Sequence, residues 1–432
     1  MIEHNYYWLK NAHIPICLVD KNQQKSSNNN ITRENLSLWD IKIAHGKITK
    51  IQPTSEKTIG IDLQKKIVLP CFVDLHTHLD KGHIYERSPN LVGDFNTALT
   101  TVREDAKQWT AGDLSPRMEF ALQCSYHHGS IALRTHLDCF GKQADISLEV
   151  WQQLKQKWQN KIHLQAVCLV TLDYFSENEG KQGKKLAQKM AQIEDGVLGA
   201  VVYMHPELQS QLDSIFQLAI DLGLDLDFHA DENGEPDSIC LQKIAQTAIK
   251  YNFPHRILVG HCCSLAVQPD EVVTKTIDLV KQANINIVSL PMCNLYLQNR
   301  QGARTPTWRG VTKVKELKEA GVGVAFASDN CRDPFHGFGD HDMLEVFSQS
   351  VRIAHLDTPY EDWISSVTKT PAQIMGLEDL GQLGVNTPAN LIIFNARYFS
   401  ELLSRPQNDR QVIRNGRLIS TSLPDYRHLN FA

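Results

Sequence analysis

Short apolar runs alternate with amphipathic stretches through the middle of the chain. The runs cover 67–75, 131–136, 162–169, 197–204, 224–229, 256–261, 285–290 and 322–328. Between them, segments such as 212–222, 239–251 and 272–283 carry apolar residues at three- and four-residue spacing. The first pattern is that of strands buried on both faces, and the second is that of helices covering them. Eight strand-then-helix units predict an α/β fold, a TIM-like (β/α)8 barrel spanning 66–385. An open doubly wound sheet is the alternative. It requires a glycine-rich phosphate loop after an early strand, and the sequence has none.

The two ends read differently. Residues 37–43 alternate apolar and polar, and a second strand follows the turn at His45-Gly46-Lys47. A polar loop is expected at Ser26-Ser27-Asn28-Asn29-Asn30. Near the other end, 389–394 is a strand and 412–419 a hairpin around Asn415-Gly416, the strongest short hairpin signal. Segments 1–65 and 386–432 are therefore expected to pair into one small β-sandwich domain.

Composition narrows the class of function. The chain has 432 residues, 42% hydrophobic and 22% charged, with a net charge of −5. It has no basic run, which argues against nucleic acid as a partner. It also lacks an apolar stretch of the roughly 18 residues a membrane span needs, and its start lacks the regions of a secretory signal. Ten cysteines are scattered without any Cys-x-x-Cys, which reads as reduced thiols in a cytoplasmic protein. The expected partners are a small heterocyclic substrate and further copies of the same chain, with no nucleic acid and no membrane.

Chemistry in such a barrel sits where strands end and loops begin. The first run ends in Asp74-Leu75-His76-Thr77-His78, and histidines two apart on an extended segment face the same side. Later runs end in Arg134-Thr135-His136-Leu137-Asp138, His229-Ala230-Asp231-Glu232, Gly260-His261 and Ser328-Asp329-Asn330. His-x-His alone is a weak motif. Repeated His and Asp closures at successive strand ends point to a shared divalent metal, and imidazole with carboxylate suits Zn²⁺ or Fe²⁺. The fourth run offers no lysine for a bridging carbamate, so one ion is expected. Lys81 is the basic residue placed nearest the site. His136 stands either as a ligand or as a support for Asp74. His205, in His205-Pro206-Glu207, matches half of the His-x-Glu signature of another deaminase fold, but the Cys-x-x-Cys half is missing.

Taken together, Phe72-Val73-Asp74-Leu75-His76-Thr77-His78, Arg134–Asp138, His229–Glu232, Asn294-Leu295-Tyr296-Leu297-Gln298, 309–316 and the 329–334 loop resemble the amidohydrolase superfamily, and within it the cytosine deaminase group. The likeness spans essentially the whole chain. It implies that His76, His78, His229 and Asp329 ligate the metal. It also implies that Glu232 shuttles protons to the ring, and that His261 with Asp329 orients and deprotonates the attacking water. The activity implied is hydrolytic deamination of cytosine or a cytosine-like base. The alternative is hydrolysis of another C–N bond, in an N-alkylamino-triazine, creatinine or a cyclic amide. Three positions depart from the cytosine deaminase pattern: Thr171 in place of a glutamine, Asn330 in place of a second aspartate, and Phe335 in place of an indole. The Asp329-Asn330 pair and the His78-Leu79-Asp80-Lys81 run are similar instead to N-isopropylammelide amidohydrolase, which lacks the counterpart of Glu232. Thr171, Asn330, Phe335 and Lys81 are thus the expected substrate contacts.

Overall fold

A computed structural model describes residues 6–24, 31–176 and 180–429. The loop expected at 26–30 and the first five residues lie outside these. The chain divides into two compact units.

One unit comprises Asp74–Leu122, Leu133–His341 and Pro424–Ala432. Its centre is an eight-stranded parallel sheet, pairing in chain order and nearly closed into a barrel. The strands are β1 (Phe72–Thr77), β2 (Ser130–Asp138), β3 (His163–Thr171), β4 (Gly196–Val202), β5 (Leu226–Ala230), β6 (Ile257–His261), β7 (Ile285–Ser289) and β8 (Val324–Phe326). Closure comes from a single parallel bridge between Thr77 and Asp329. The Asp329 N–H donates to the His76 carbonyl at 2.9 Å, and the Thr77 hydroxyl donates to the Asp329 carbonyl at 2.8 Å. All residues of β1, β5 and β6 are buried, which is why these strands read as largely apolar runs, broken by Asp74 and Asp227 and closing on histidines. Helices Leu208–Leu222, Cys240–Lys250 and Asp270–Gln282 alternate with the later strands.

The first run splits. Val68–Pro70 pairs antiparallel with Leu391–Ile393 in a separate sheet, and only Phe72–Thr77 enters the barrel. Pro70 has no N–H to give the ladder, and beyond it the Cys71 N–H still reaches that strand's side, donating to the Asn390 carbonyl at 3.3 Å.

The other unit comprises Met1–Val73, Gln123–Ala132 and Asp342–Leu423. It holds two four-stranded sheets. One runs Lys47–Pro53, Leu36–Ala44, Tyr6–Pro15, Ile61–Asp62; the other runs Arg417–Leu418, Gln411–Arg414, Leu391–Ile393, Val68–Pro70. Leu9, Ile14, Trp39, Ile41, Leu391 and Ile413 share one core. The turns expected at His45-Gly46-Lys47 and at Asn415-Gly416 both form. His45-Gly46 and Asn415-Gly416 take positive φ at both positions, as the favoured hairpin turn demands. No helix of the described residues is long and apolar enough to cross a membrane.

Candidate active site

The period-2 alternation of a strand places Asp74, His76 and His78 on one side, and likewise Arg134 with His136 and Asp227 with His229. Two layers of polar side chains result inside the barrel, where apolar side chains are the rule. In the lower layer, Arg134 donates to Asp227 at 3.0 Å and to Gln165 at 2.9 and 3.0 Å. His136 Nε2 lies 3.2 Å from the same Asp227. Asp74 is held by Ser328, through its N–H at 3.2 Å and its hydroxyl at 2.5 Å. His136 therefore supports Asp227, and Asp74 has another partner.

The upper layer gathers the predicted ligands. His78 Nε2 lies 3.2 Å from Asp329 Oδ1, His76 Nε2 lies 3.5 Å from it, and His229 Nε2 lies 3.4 Å from His78 Nε2. Both ring nitrogens of His76 and both carboxylate oxygens of Asp329 are buried with no hydrogen-bond partner among the described residues. Such orphaned atoms carry a large desolvation cost unless something binds them. Their spacing is that of donors about 2.0–2.2 Å from a common ion, so the residues present fit a divalent metal. Burial holds His78 and His229 well below the usual imidazole range, so both rings are neutral, as ligands must be. Burial pushes Asp329 up, but the adjacent rings of His76 and His78 outweigh it and hold the carboxyl well below the usual range. Asp329 and His261 both adopt positive φ, 59° and 69°, a costly backbone state for non-glycine residues that clusters at functional sites.

A cavity of about 490 Å³ opens above these ligands. His78, His229, Glu232, His261 and Asp329 line it, and so do Lys81, Thr171, Asn330 and Phe335. Apolar wall comes from Phe95, Leu99 and Val102 on the helix Phe95–Ala106, and from Phe140 and Leu169. Lys81 is buried and donates to Asp138 at 2.8 Å. Its ammonium lies 5.6 Å from the Phe335 ring centre. Asn330 donates to Asp333 at 2.6 Å. His205 is exposed and accepts a hydrogen bond from the Glu207 N–H at 3.2 Å, apart from this cavity.

The amidohydrolase family profile matches residues 127–420. This chain belongs to the amidohydrolase family. As a member it is a hydrolase of carbon–nitrogen bonds other than peptide bonds. It is 46% identical over 401 residues to pterin deaminase of Rhizobium rhizogenes, covering 92% of this chain and 91% of that protein. It is 25% identical over 394 residues to N-isopropylammelide isopropyl amidohydrolase of Pseudomonas sp. strain ADP, covering 89% and 94%. Among solved structures, 5-methylcytosine deaminase from Klebsiella pneumoniae with 5-fluorocytosine superposes with a TM-score of 0.81 at 24% identity, covering 97% of this chain and 98% of that one. That likeness concerns the fold.

In this amidohydrolase, Glu232 lines the cavity beside His261. Burial and the charge of Asp329 push its carboxyl well above the usual range, against an opposing pull from Lys81. Two residues position it whose roles the sequence did not reveal. Asn294 Nδ2 donates to Glu232 Oε1 at 3.3 Å and lies 3.0 Å from His261 Nδ1, while Gln298 Nε2 donates to the Glu232 carbonyl at 3.0 Å. Both belong to a stretch singled out by resemblance without an assigned role. Their spacing of four, at the helix Pro291–Leu297 and its end, puts them on one face, which is the signal that could have found them. With Asn294 donating to Nδ1, the neutral His261 ring carries its proton on Nε2, and burial holds its pKa near 3.

Proposed function

We propose that this protein is a hydrolytic deaminase of a nitrogen heterocycle, and that its substrate is a fused bicyclic base of the pterin type. The observation that carries the reading is the 46% identity to a pterin deaminase over nearly the full length of both chains. Cavity size supports it: about 490 Å³, walled by Phe95, Leu99 and Phe335, has room for two fused rings beside the ligand cluster. Cytosine, the choice drawn from sequence resemblance, shares the reacting group, an exocyclic amine on a carbon next to a ring nitrogen.

His76, His78, His229 and Asp329 would hold one Zn²⁺ or Fe²⁺ ion. When bound, that ion supplies Lewis acidity that makes a water nucleophilic at neutral pH. Asp329 accepts the proton of the attacking water. Protonated Glu232 donates to the ring nitrogen beside the amine-bearing carbon and makes that carbon electrophilic. The Nε2–H of His261 faces the developing negative charge. The first water proton passes to the departing amine and the second returns to Glu232 as the carbonyl forms, so one water is consumed, a carbonyl replaces the amine, and ammonia leaves. Phe335 and Phe95 offer ring faces to the base, and Thr171 and Asn330 offer short polar groups to its edge.

Ammonia release measured across pterin, cytosine, creatinine and aminotriazines tests the reading. Pterin is expected to show the highest kcat/KM. A preference for cytosine would overturn the bicyclic substrate. Silence on every amine together with turnover of a cyclic amide would overturn deamination itself.

A further inference from the structure

We propose that His83, Cys331 and His341 form a second metal site that takes one Zn²⁺-class ion and clamps the loops that follow β1 and β8. The three side chains are buried, and their donor atoms all lie within 4.8 Å of one another. His83 Nε2 and His341 Nε2 face each other at 3.2 Å. Nitrogens bound to tetrahedral zinc at 2.0–2.1 Å stand about 3.3 Å apart, and a thiolate at about 2.3 Å falls slightly farther from each. The pair distance therefore suits a shared ion as well as a hydrogen bond between rings, and the converging thiol adds a third donor that a ring–ring hydrogen bond does not use.

Two further observations set this cluster apart. His83 Nδ1 is also buried with no hydrogen-bond partner among the described residues, in a ring that is 3% exposed. Both histidines also adopt positive φ, 61° at His83 and 54° at His341. For non-glycine residues this backbone state is unfavourable, and it recurs where side chains are aimed at ligands. Imidazole plus thiolate is a soft donor set that favours zinc over magnesium or calcium. Of the three side chains, His83 also lines a separate cavity with Arg332 and Tyr426.

The placement gives the ion a structural task. His83 lies five residues after His78, and Cys331 lies two after Asp329. The His83 N–H already donates to the Cys331 carbonyl at 3.1 Å. An ion at the three side chains would lock together the two loops that present catalytic ligands from opposite ends of the barrel sequence. This inference does not depend on the deaminase reading, since its readout is metal binding and not turnover.

The test uses the whole protein reconstituted with cobalt(II), with metal counted by mass spectrometry. The expected result is two equivalents per chain and a thiolate-to-cobalt charge-transfer band in the near ultraviolet. His83→Gln is expected to remove the band and one equivalent while the other equivalent stays. Cys331→Ser, which changes one atom, is the second variant should His83→Gln not fold. Absence of the band in the native sequence overturns the proposal whatever the metal count. So does a band that persists in Cys331→Ser, because another cysteine would then be the ligand, and so do an unchanged band and metal count in His83→Gln, because His83 would then not be a ligand.

Discussion

His136 Nε2 stands 3.2 Å from a carboxylate oxygen of Asp227, directly beneath the ligand cluster, with its ring 3.9 Å from that of His76. Asp227 is fully buried and also receives Arg134. Burial pushes Asp227 up, yet His136 and Arg134 together hold it below the usual carboxylate range. The carboxylate thus balances a buried guanidinium, and a buried charge left alone is expensive. Asp227→Asn is expected to lower unfolding free energy by about 3–5 kcal/mol, read as a fall in the urea midpoint. An unchanged midpoint would show that Arg134 finds compensation elsewhere.

Glu232 Oε1 lies 3.3 Å from His261 Nδ1 in the cavity wall, a placement that fits the proton-carrying role proposed for it. Glu232→Gln keeps the shape and removes the transferable proton. Metal content should stay at the native value while kcat falls by at least about 10²-fold. His229→Ala should instead lower metal content, because His229 Nε2 is one of the donors grouped at 3.4 Å. Equal metal loss in both variants would place Glu232 among the ligands.

Much of this arrangement is legible in the sequence for one physical reason. Strands buried on both faces must be apolar, so polar residues at their ends stand out, and His76, His78, His229, His261 and Asp329 were visible that way. What the pattern hid was of two kinds. Asp227 interrupts an apolar run by one residue, and only its meeting with Arg134 and His136 across the barrel gives it a role. Asn294 and Gln298 reach Glu232 from a helix more than sixty residues away, and the helix Phe95–Ala106 walls the cavity with ordinary apolar side chains. Such long-range meetings leave no local periodicity.

With Glu232 as the proposed proton donor, its proton is expected to set a pH dependence. Burial and Asp329 raise its pKa and Lys81 lowers it. The donor is active when protonated, so kcat/KM should fall on the alkaline side as that proton is lost. Lys81→Met removes the opposing cation, which raises the Glu232 pKa further and moves the alkaline limb to higher pH. The kcat/KM profile reports the free enzyme and is the right measurement. A limb that stays in place, or moves to lower pH, would assign it to another group.

Asp231 lies between His229 and Glu232 and ties that loop to the next helix. One carboxylate oxygen accepts from the Ser238 hydroxyl at 2.8 Å and the Cys240 N–H at 2.9 Å, and the other accepts from the Leu241 N–H at 2.9 Å. These N–H groups open the helix Cys240–Lys250, whose preceding residue, Ile239, has no side chain able to cap it. Asp231 is therefore a cap supplied from a distance, and a negative charge at a helix start is favourable. Asp231→Ala leaves buried donors unsatisfied and is expected to cost about 1–3 kcal/mol of stability. Because the same residue fixes the loop that carries Glu232, kcat should fall as well, while Asp231→Asn, which keeps one acceptor oxygen, should recover part of both. Thermal unfolding and turnover measured on the two variants decide it: a loss of stability with kcat unchanged would confine Asp231 to capping the helix.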